Sequence, residues 1–227
     1  MTRLTYIFLV LLTISCSEKS VNTSSVSEST AETSIDKDQL PYYQEATFTP
    51  EWYSSAADLP ENYHRIPEFS FQNQQGLTIS DKDMEGKIYV VDFFFTTCPG
   101  ICPKMTGNMS LVQEAFKDDN QVQLLSHSVT PDFDDVSVLN EYAKEHGVEA
   151  GKWHLLTGDR DQIYEMARNQ YFVEEDLGLL KNPDEFLHTE NFILIDTNRH
   201  IRGIYNGLNK TSVSQLIADI KTLKVAS

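Results

Sequence analysis

Apolar residues along the chain recur in two distinct patterns, one nearly continuous and one helical. Residues 87–95 read Lys-Ile-Tyr-Val-Val-Asp-Phe-Phe-Phe, the run of a central strand covered on both faces. Residues 122–129 repeat that character and predict a second strand. Between the two, Met105, Met109, Val112 and Phe116 recur at helical spacing, and Pro103 suits a first helical turn. Val136, Leu139, Tyr142 and Ala143 mark another helix, ending near Gly147. Ahead of these, Ile66, Phe69 and Phe71, then Leu77-Thr78-Ile79, flank a polar turn over 72–76 and predict a hairpin. Behind them come a strand at 153–156, a helix over 159–169, a strand pair at 191–196 and 201–205, and a closing helix over 213–223. The order βαβα, βα, ββα predicts an α/β sheet with helices on both sides.

The first residues follow neither pattern. Arg3 precedes an uncharged run over 4–15, which reads as an export signal and is too short for a permanent membrane span. Ser15-Cys16 at its end resembles the lipobox of bacterial lipoproteins, which implies cleavage before Cys16 and lipid on that residue. Thr13 stands where the lipobox usually has Leu, and the nearest Leu is Leu12. The alternative is an ordinary cleaved signal that leaves Cys16 as a thiol. Residues 17–38 hold seven Ser and three Thr with no aromatic residue, Gly or Pro, so they predict a solvated tether. The expected organisation is a signal peptide over 1–15, a lipidated cysteine and tether over 16–40, and one domain over 41–227. Such a chain is expected in the cell envelope, anchored to a bacterial membrane with its domain exported to the periplasmic side.

The charge narrows the partners. With 18 Lys and Arg against 34 Asp and Glu, the net charge is −16, which argues against nucleic acid as a partner. No Ser/His/Asp triad, phosphate-cradling glycine loop or His-Glu-x-x-His helix supports a hydrolase, nucleotide or zinc-protease reading.

Cysteine is the informative residue. With Cys16 assigned to the anchor, Cys98 and Cys102 remain in an exported chain, where a pair is expected to act as a pair. A bridge between residues four apart closes too small a loop to stabilise much, so a reactive dithiol is favoured over a structural disulfide. At the mouth of a helix, free amides and the helix dipole favour thiolate. Three intervening residues give a wider bite than the usual exchange spacing, suited to two thiolates on one ion, with Cu(I) or Zn(II) as the choices. Spacing alone leaves disulfide exchange and metal binding both open.

Residues 90–105, Val-Val-Asp-Phe-Phe-Phe-Thr-Thr-Cys-Pro-Gly-Ile-Cys-Pro-Lys-Met, resemble the signature of the Sco (SenC-like) copper chaperones. Residues 187–196, Leu-His-Thr-Glu-Asn-Phe-Ile-Leu-Ile-Asp, resemble that family's second element, in which a histidine precedes a strand. The resemblance runs from about Phe69 to Leu223. It implies a thioredoxin-like α/β fold, here with an N-terminal β-hairpin extension, and one copper held by Cys98, Cys102 and His188. It further implies delivery of that copper to an apo cytochrome c oxidase subunit, with a thiol reductant keeping the cysteines reduced. One departure concerns the loop after the second strand, where Thr130 replaces the family's first acid and Asp134 matches the second.

A rival reading makes Cys98 and Cys102 the redox-active pair of a thiol-disulfide oxidoreductase, with His188 incidental. The approach to the strand at 191 lacks the cis-proline position of such exchangers, Pro183 lying too far back. A redox or copper sensor would share the same residues, and a peroxidase would use a different loop motif. Other polar residues have plain roles to fill. His127 is expected as a hydrogen-bonded core or rim residue, and His64, His146, His154 and His200 as surface or loop residues. Met105 and Met109 are expected as core filler rather than copper ligands. Asp92 is expected as a buried acid, able either to hydrogen-bond structurally or to tune thiol proton transfer. Asp132, Asp134 and Asp135 are expected to cap the following helix, and Thr96 and Thr97 to shape the cysteine loop.

Overall fold

The computed structural model describes residues 39–174, 187 and 189–225. Within them a seven-stranded sheet has the order β2-β1-β5-β4-β3-β6-β7. Its strands are β1 (Ser70–Asn73), β2 (Thr78–Ser80), β3 (Ile88–Phe94), β4 (Val122–Ser128), β5 (Trp153–Thr157), β6 (Asn191–Ile195) and β7 (Ile201–Asn206). The helices are α1 (Cys102–Ala115), α2 (Val136–His146), α3 (Arg160–Glu165) and α4 (Lys210–Val225).

β3, β4 and β5 run parallel, and every residue of all three is buried. That explains their unbroken apolar runs, since both faces of the sheet are covered. Both crossovers shift the chain one strand in the same direction, so α1 and α2 pack on one face. There Met105, Met109 and Val112 of α1, Leu139 and Tyr142 of α2 and Leu216 and Ile220 of α4 meet Val90, Leu124 and Leu194. Met105 and Met109 are wholly buried core residues. The opposite face is covered by Ile163 and Tyr164 of α3 together with Ile66 and Phe69 from the N-terminal segment. Helices do lie on both sides, but three to one.

The hairpin is not a separate flap. β1 pairs antiparallel with β5 as well as with β2. Gln74 in its turn donates to Trp153 O at 2.8 Å and accepts from Leu155 N at 2.9 Å. Ile66, counted with the hairpin in the sequence, precedes β1 and bonds its amide to Arg199 O instead. The helix expected over 159–169 is α-helical only to Glu165 and continues as a π-helical turn, Met166–Gln170. On the far edge, Tyr43 N donates to Ile201 O at 3.1 Å. Arg202 lies 3.6 Å over the Tyr42 ring and donates to Leu40 O, Pro41 O and Asp196, holding Leu40 and Pro41 against β7.

Several histidines sit deeper than expected. His154 lies in β5, buried, with Nδ1 3.2 Å from Asn73 Nδ2. His64 and His200 are half-buried and bonded to backbone carbonyls, His64 Nε2 to Gln170 O and His200 Nδ1 to His64 O, each at 2.8 Å. His127, on β4, is fully buried between Phe93 and Phe71. Both of its ring nitrogens lack a hydrogen-bond partner, so it is a core residue as expected but not a hydrogen-bonded one.

Those buried groups set a pH dependence. Burial holds His127 down at about 3. Burial, with the Lys87 charge, holds His154 at about 4. Between those values and 6.5 the unfolded chain binds protons that the folded chain refuses, so stability falls as pH falls. Asp92 acts the other way, because burial pushes its carboxyl up to about 7 and the folded chain keeps a proton that the unfolded chain releases above 3.8. Each group contributes about 1.4 kcal/mol per pH unit in its window, and two histidines outweigh one acid. The melting temperature is therefore expected to rise with pH between about 4 and 6.5, with His127→Phe flattening that limb. An unchanged slope in the variant contradicts the assignment. Gly207 offers a second test, since a Cβ there meets Phe192 Cε1 at 2.8 Å and Glu190 O at 3.0 Å. Gly207→Ala is expected to lower stability by about 1–3 kcal/mol in urea denaturation.

Candidate functional site

β3 ends at Phe94, and the chain turns at once, Cys98 N donating to Phe95 O at 3.3 Å. α1 then begins at Cys102 with Pro103 in its first turn and no side chain capping it. Cys98 precedes this uncapped end, and the backbone of Gly100, Ile101 and Cys102 favours its charged form. Burial alone pushes the Cys98 thiol up, but the Cys102 thiol and those three amides together hold it below its ordinary value. This is thiolate stabilisation at a helix N-terminus.

Cys102 is the opposite case. It is buried where Cys98 is half-buried, and neither is in a disulfide. Burial first, then the hydrogen bond with Cys98 and the negative charges of Cys98 and Asp92, push Cys102 up to about 12 against the pull of the Phe95 amide. Asp92 is the buried acid that the sequence suggested, bonded to Ser126 Oγ, which also accepts from Trp153 Nε1 at 2.8 Å. The pair thus has one half-buried thiol held below its ordinary value and one buried thiol pushed above it.

A narrow cleft of about 20 Å³ opens over the two sulfurs, lined by Cys98, Cys102, Ile101, Phe93–Phe95, Val129, Leu187 and Thr189. β6 runs antiparallel to β3 with Val91 opposite Ile193, so the residues just before Asn191 approach the loop that follows Phe94. His188 itself lies outside the described residues, as do Cys16 and Pro183, while its neighbours Leu187 and Thr189 both line the cleft. Among the described residues no group of three or more His, Cys, Asp or Glu side chains is placed to hold a metal ion. The approach is tied to α1, since Asn108 Nδ2 donates to Gly207 O at 2.6 Å and Gly207 N to Glu190 O at 2.6 Å.

The acids after β4 divide their roles. Asp135 caps α2, accepting from Val138 N at 2.9 Å, and Asp132 is exposed. Asp134 does not cap. It is fully buried and turned toward the cysteine loop, accepting from Thr96, Ser128 and Thr130. Thr96 shapes the loop through that bond, while Thr97 is exposed. Ser128, Asn108 and Gly207 escaped the sequence reading, and Asp134 is a loop anchor instead of the expected cap; Thr96 lies 38 positions from Asp134 and Asn108 lies 99 from Gly207. A buried acid shared by two loops leaves no periodic signal.

Two soft sulfurs that must lose a proton from Cys102 before both can donate suit a soft cation such as Cu(I). The same inequality suits thiol-disulfide exchange, in which the ionised thiol attacks.

Comparison with known proteins fits this geometry. The SCO1/SenC family pattern matches residues 57–224. The SCO1 protein homolog of Bacillus subtilis (strain 168) is 32% identical over 168 residues, covering 72% of this chain and 84% of that protein. A SCO1/SenC family lipoprotein from Bacillus anthracis str. Ames superposes with a TM-score of 0.62 at 31% identity, covering 71% of this chain and 95% of that one. BsSco, a member of the Sco family of cytochrome c oxidase assembly proteins, gives 0.61 at 30% identity, with 72% and 95% covered. Bradyrhizobium japonicum ScoI, solved with copper bound, shares the fold at 23% identity and a TM-score of 0.54, with 69% and 98% covered. The fold is accordingly thioredoxin-like, its sheet extended at one edge by the N-terminal hairpin. With the family pattern spanning both cysteines and the sheet that presents them, the chain belongs to the SCO1/SenC family.

Proposed function

We propose that this protein is a copper chaperone that carries one copper ion between Cys98, Cys102 and His188 and hands it to the copper-binding subunit of cytochrome c oxidase during assembly. The observation that carries the reading is the shared cleft. It brings both sulfurs together with the two residues that flank His188, and two thiolates with an imidazole form a donor set for copper. Copper here is cargo. The cysteines must be reduced to accept it, so a thiol reductant is a partner.

The anchored reading rests on Cys16 and on the likeness to a lipoprotein of the same family. Its geometry is workable. Gln39 and Leu40 enter beside Asp196 and Leu223, and Ile195 pairs with Tyr89 near the start of β3. Cys98 follows the other end of β3, so Gln39 and Leu40 lie at the end of the domain opposite the cleft.

One observation favours a second reading, thiol-disulfide exchange with target cysteines. The accessible Cys98 is held low and the buried Cys102 is pushed up, the division of labour of an attacking and a resolving thiol.

A Cu(I) titration of the reduced protein against a chromogenic chelator separates the two. One tight equivalent is expected, lost in Cys98→Ala and weakened markedly in His188→Ala. Weak binding, or tight binding indifferent to His188, favours the exchange reading. Where only Cys98 is ionised, one proton leaves with each copper bound. The apparent affinity is then expected to rise about tenfold per pH unit, whereas a pH-independent affinity means that Cys102 is not a ligand.

A further inference from the structure

Asp134 has no part in the donor set, yet its surroundings are built around the cysteine loop. The side chain is wholly buried. Its carboxylate accepts from Thr96 Oγ1 at 2.5 Å, Thr96 N at 3.2 Å, Ser128 Oγ at 2.5 Å and Thr130 Oγ1 at 3.0 Å. Four donors on one carboxylate offset the penalty of removing the charge from water. Ser128 Oγ in turn accepts from Thr130 N at 3.1 Å, and Asp134 N donates to Thr130 O at 2.8 Å. The loop after β4 is therefore closed on itself around the acid, and its free bonding capacity is spent on Thr96.

Thr96 is the second residue of the turn that delivers Cys98. Its neighbour Phe95 accepts from Cys98 N. Thr96 is therefore anchored to Asp134 one residue after the carbonyl that holds Cys98. Thr130 matters for a reason particular to this chain. A hydroxyl at that position donates to Asp134, whereas a carboxylate there would set like charge against it.

We propose that Asp134 is the positioning residue of the dithiol, locking Thr96 so that the turn after β3 holds Cys98 at the mouth of α1, with Thr130 as the hydroxyl that completes the lock. The step it serves is presentation of two sulfurs at a fixed separation. Its bearing on copper rests on the function proposed above, but its bearing on the thiols does not.

The test uses the reduced full chain and reads Cys98 alkylation by iodoacetamide as a function of pH, the dithiol–disulfide equilibrium against glutathione, and Cu(I) competition. Thr96→Val removes the hydroxyl donor without emptying the site, and Asp134→Asn removes the charge. Each is expected to slow alkylation at neutral pH at least about fivefold, with the rate recovered at higher pH, because a thiol that leaves the helix mouth is a weaker acid. The double variant is expected to be no worse than the more severe single, since one lock is broken once. Thr130→Ser should match the parent and Thr130→Val should not. Leu216→Ala in α4, chosen for an equal fall in melting temperature, should leave alkylation unchanged. Rates within about twofold of the parent, additive effects, or the same change in Leu216→Ala overturn the proposal. Should Asp134→Asn fail to fold, Thr96→Val and the two Thr130 variants decide it. If the parent binds no copper while the thiol readouts shift as expected, the chaperone reading fails and the positioning role stands.

Discussion

The saturation of β3 governs this structure. All seven of its residues are buried, and it is bonded on both edges, parallel to β4 and antiparallel to β6. A strand so enclosed has no freedom of register, because a one-residue slip would move every side chain to the wrong face. Its end is therefore a fixed point. The parallel neighbour sets the loop of Asp134 beside that end, and the antiparallel neighbour returns the residues before Asn191 to it. Two cysteines in sequence at the end of such a strand are thus flanked by two elements remote in the chain.

The buried polar groups show what the fold tolerates near that point and why. Asp134 is held by four donors, whereas Asp92 has a single hydroxyl partner, Ser126, and burial pushes it up to about 7. His127 has no hydrogen-bond partner among the described residues and is held neutral by burial. The site inherits this gradient. Cys98, at the rim, is held below its ordinary value, while Cys102, inside and near Asp92, is pushed up to about 12. The inequality between two chemically identical side chains is thus a product of depth and of the helix end, and it serves soft-metal capture and thiol exchange equally well.

How much was legible in the sequence follows from how local each signal is. β3, β4, α1 and α2 were readable because a doubly covered strand and an amphipathic helix write their periods into consecutive residues. The cysteine pair was readable because its spacing is local. The join of β1 to β5 was not, since edge pairing depends on residues more than 80 positions apart. His154 was misplaced at the surface for the same reason, the hairpin that covers it being remote in sequence. Asp134 reads as a helix cap because three acids before an apolar helix look alike locally, and its bonds to Ser128, Thr130 and Thr96, the last 38 positions earlier, separate it from Asp135. The π-helical turn at Met166–Gln170 is invisible to a pattern that counts apolar faces.

On the proposed function, Cys98, Cys102 and His188 together hold a single copper ion. Copper K-edge X-ray absorption of the reduced protein loaded with one equivalent of Cu(I), compared with His188→Ala, tests it most directly. The expected result is two sulfur neighbours and one nitrogen neighbour in the parent, with the imidazole scattering gone in the variant. A nitrogen shell that survives the loss of His188, or a copper bound by sulfur alone in the parent, would contradict the account.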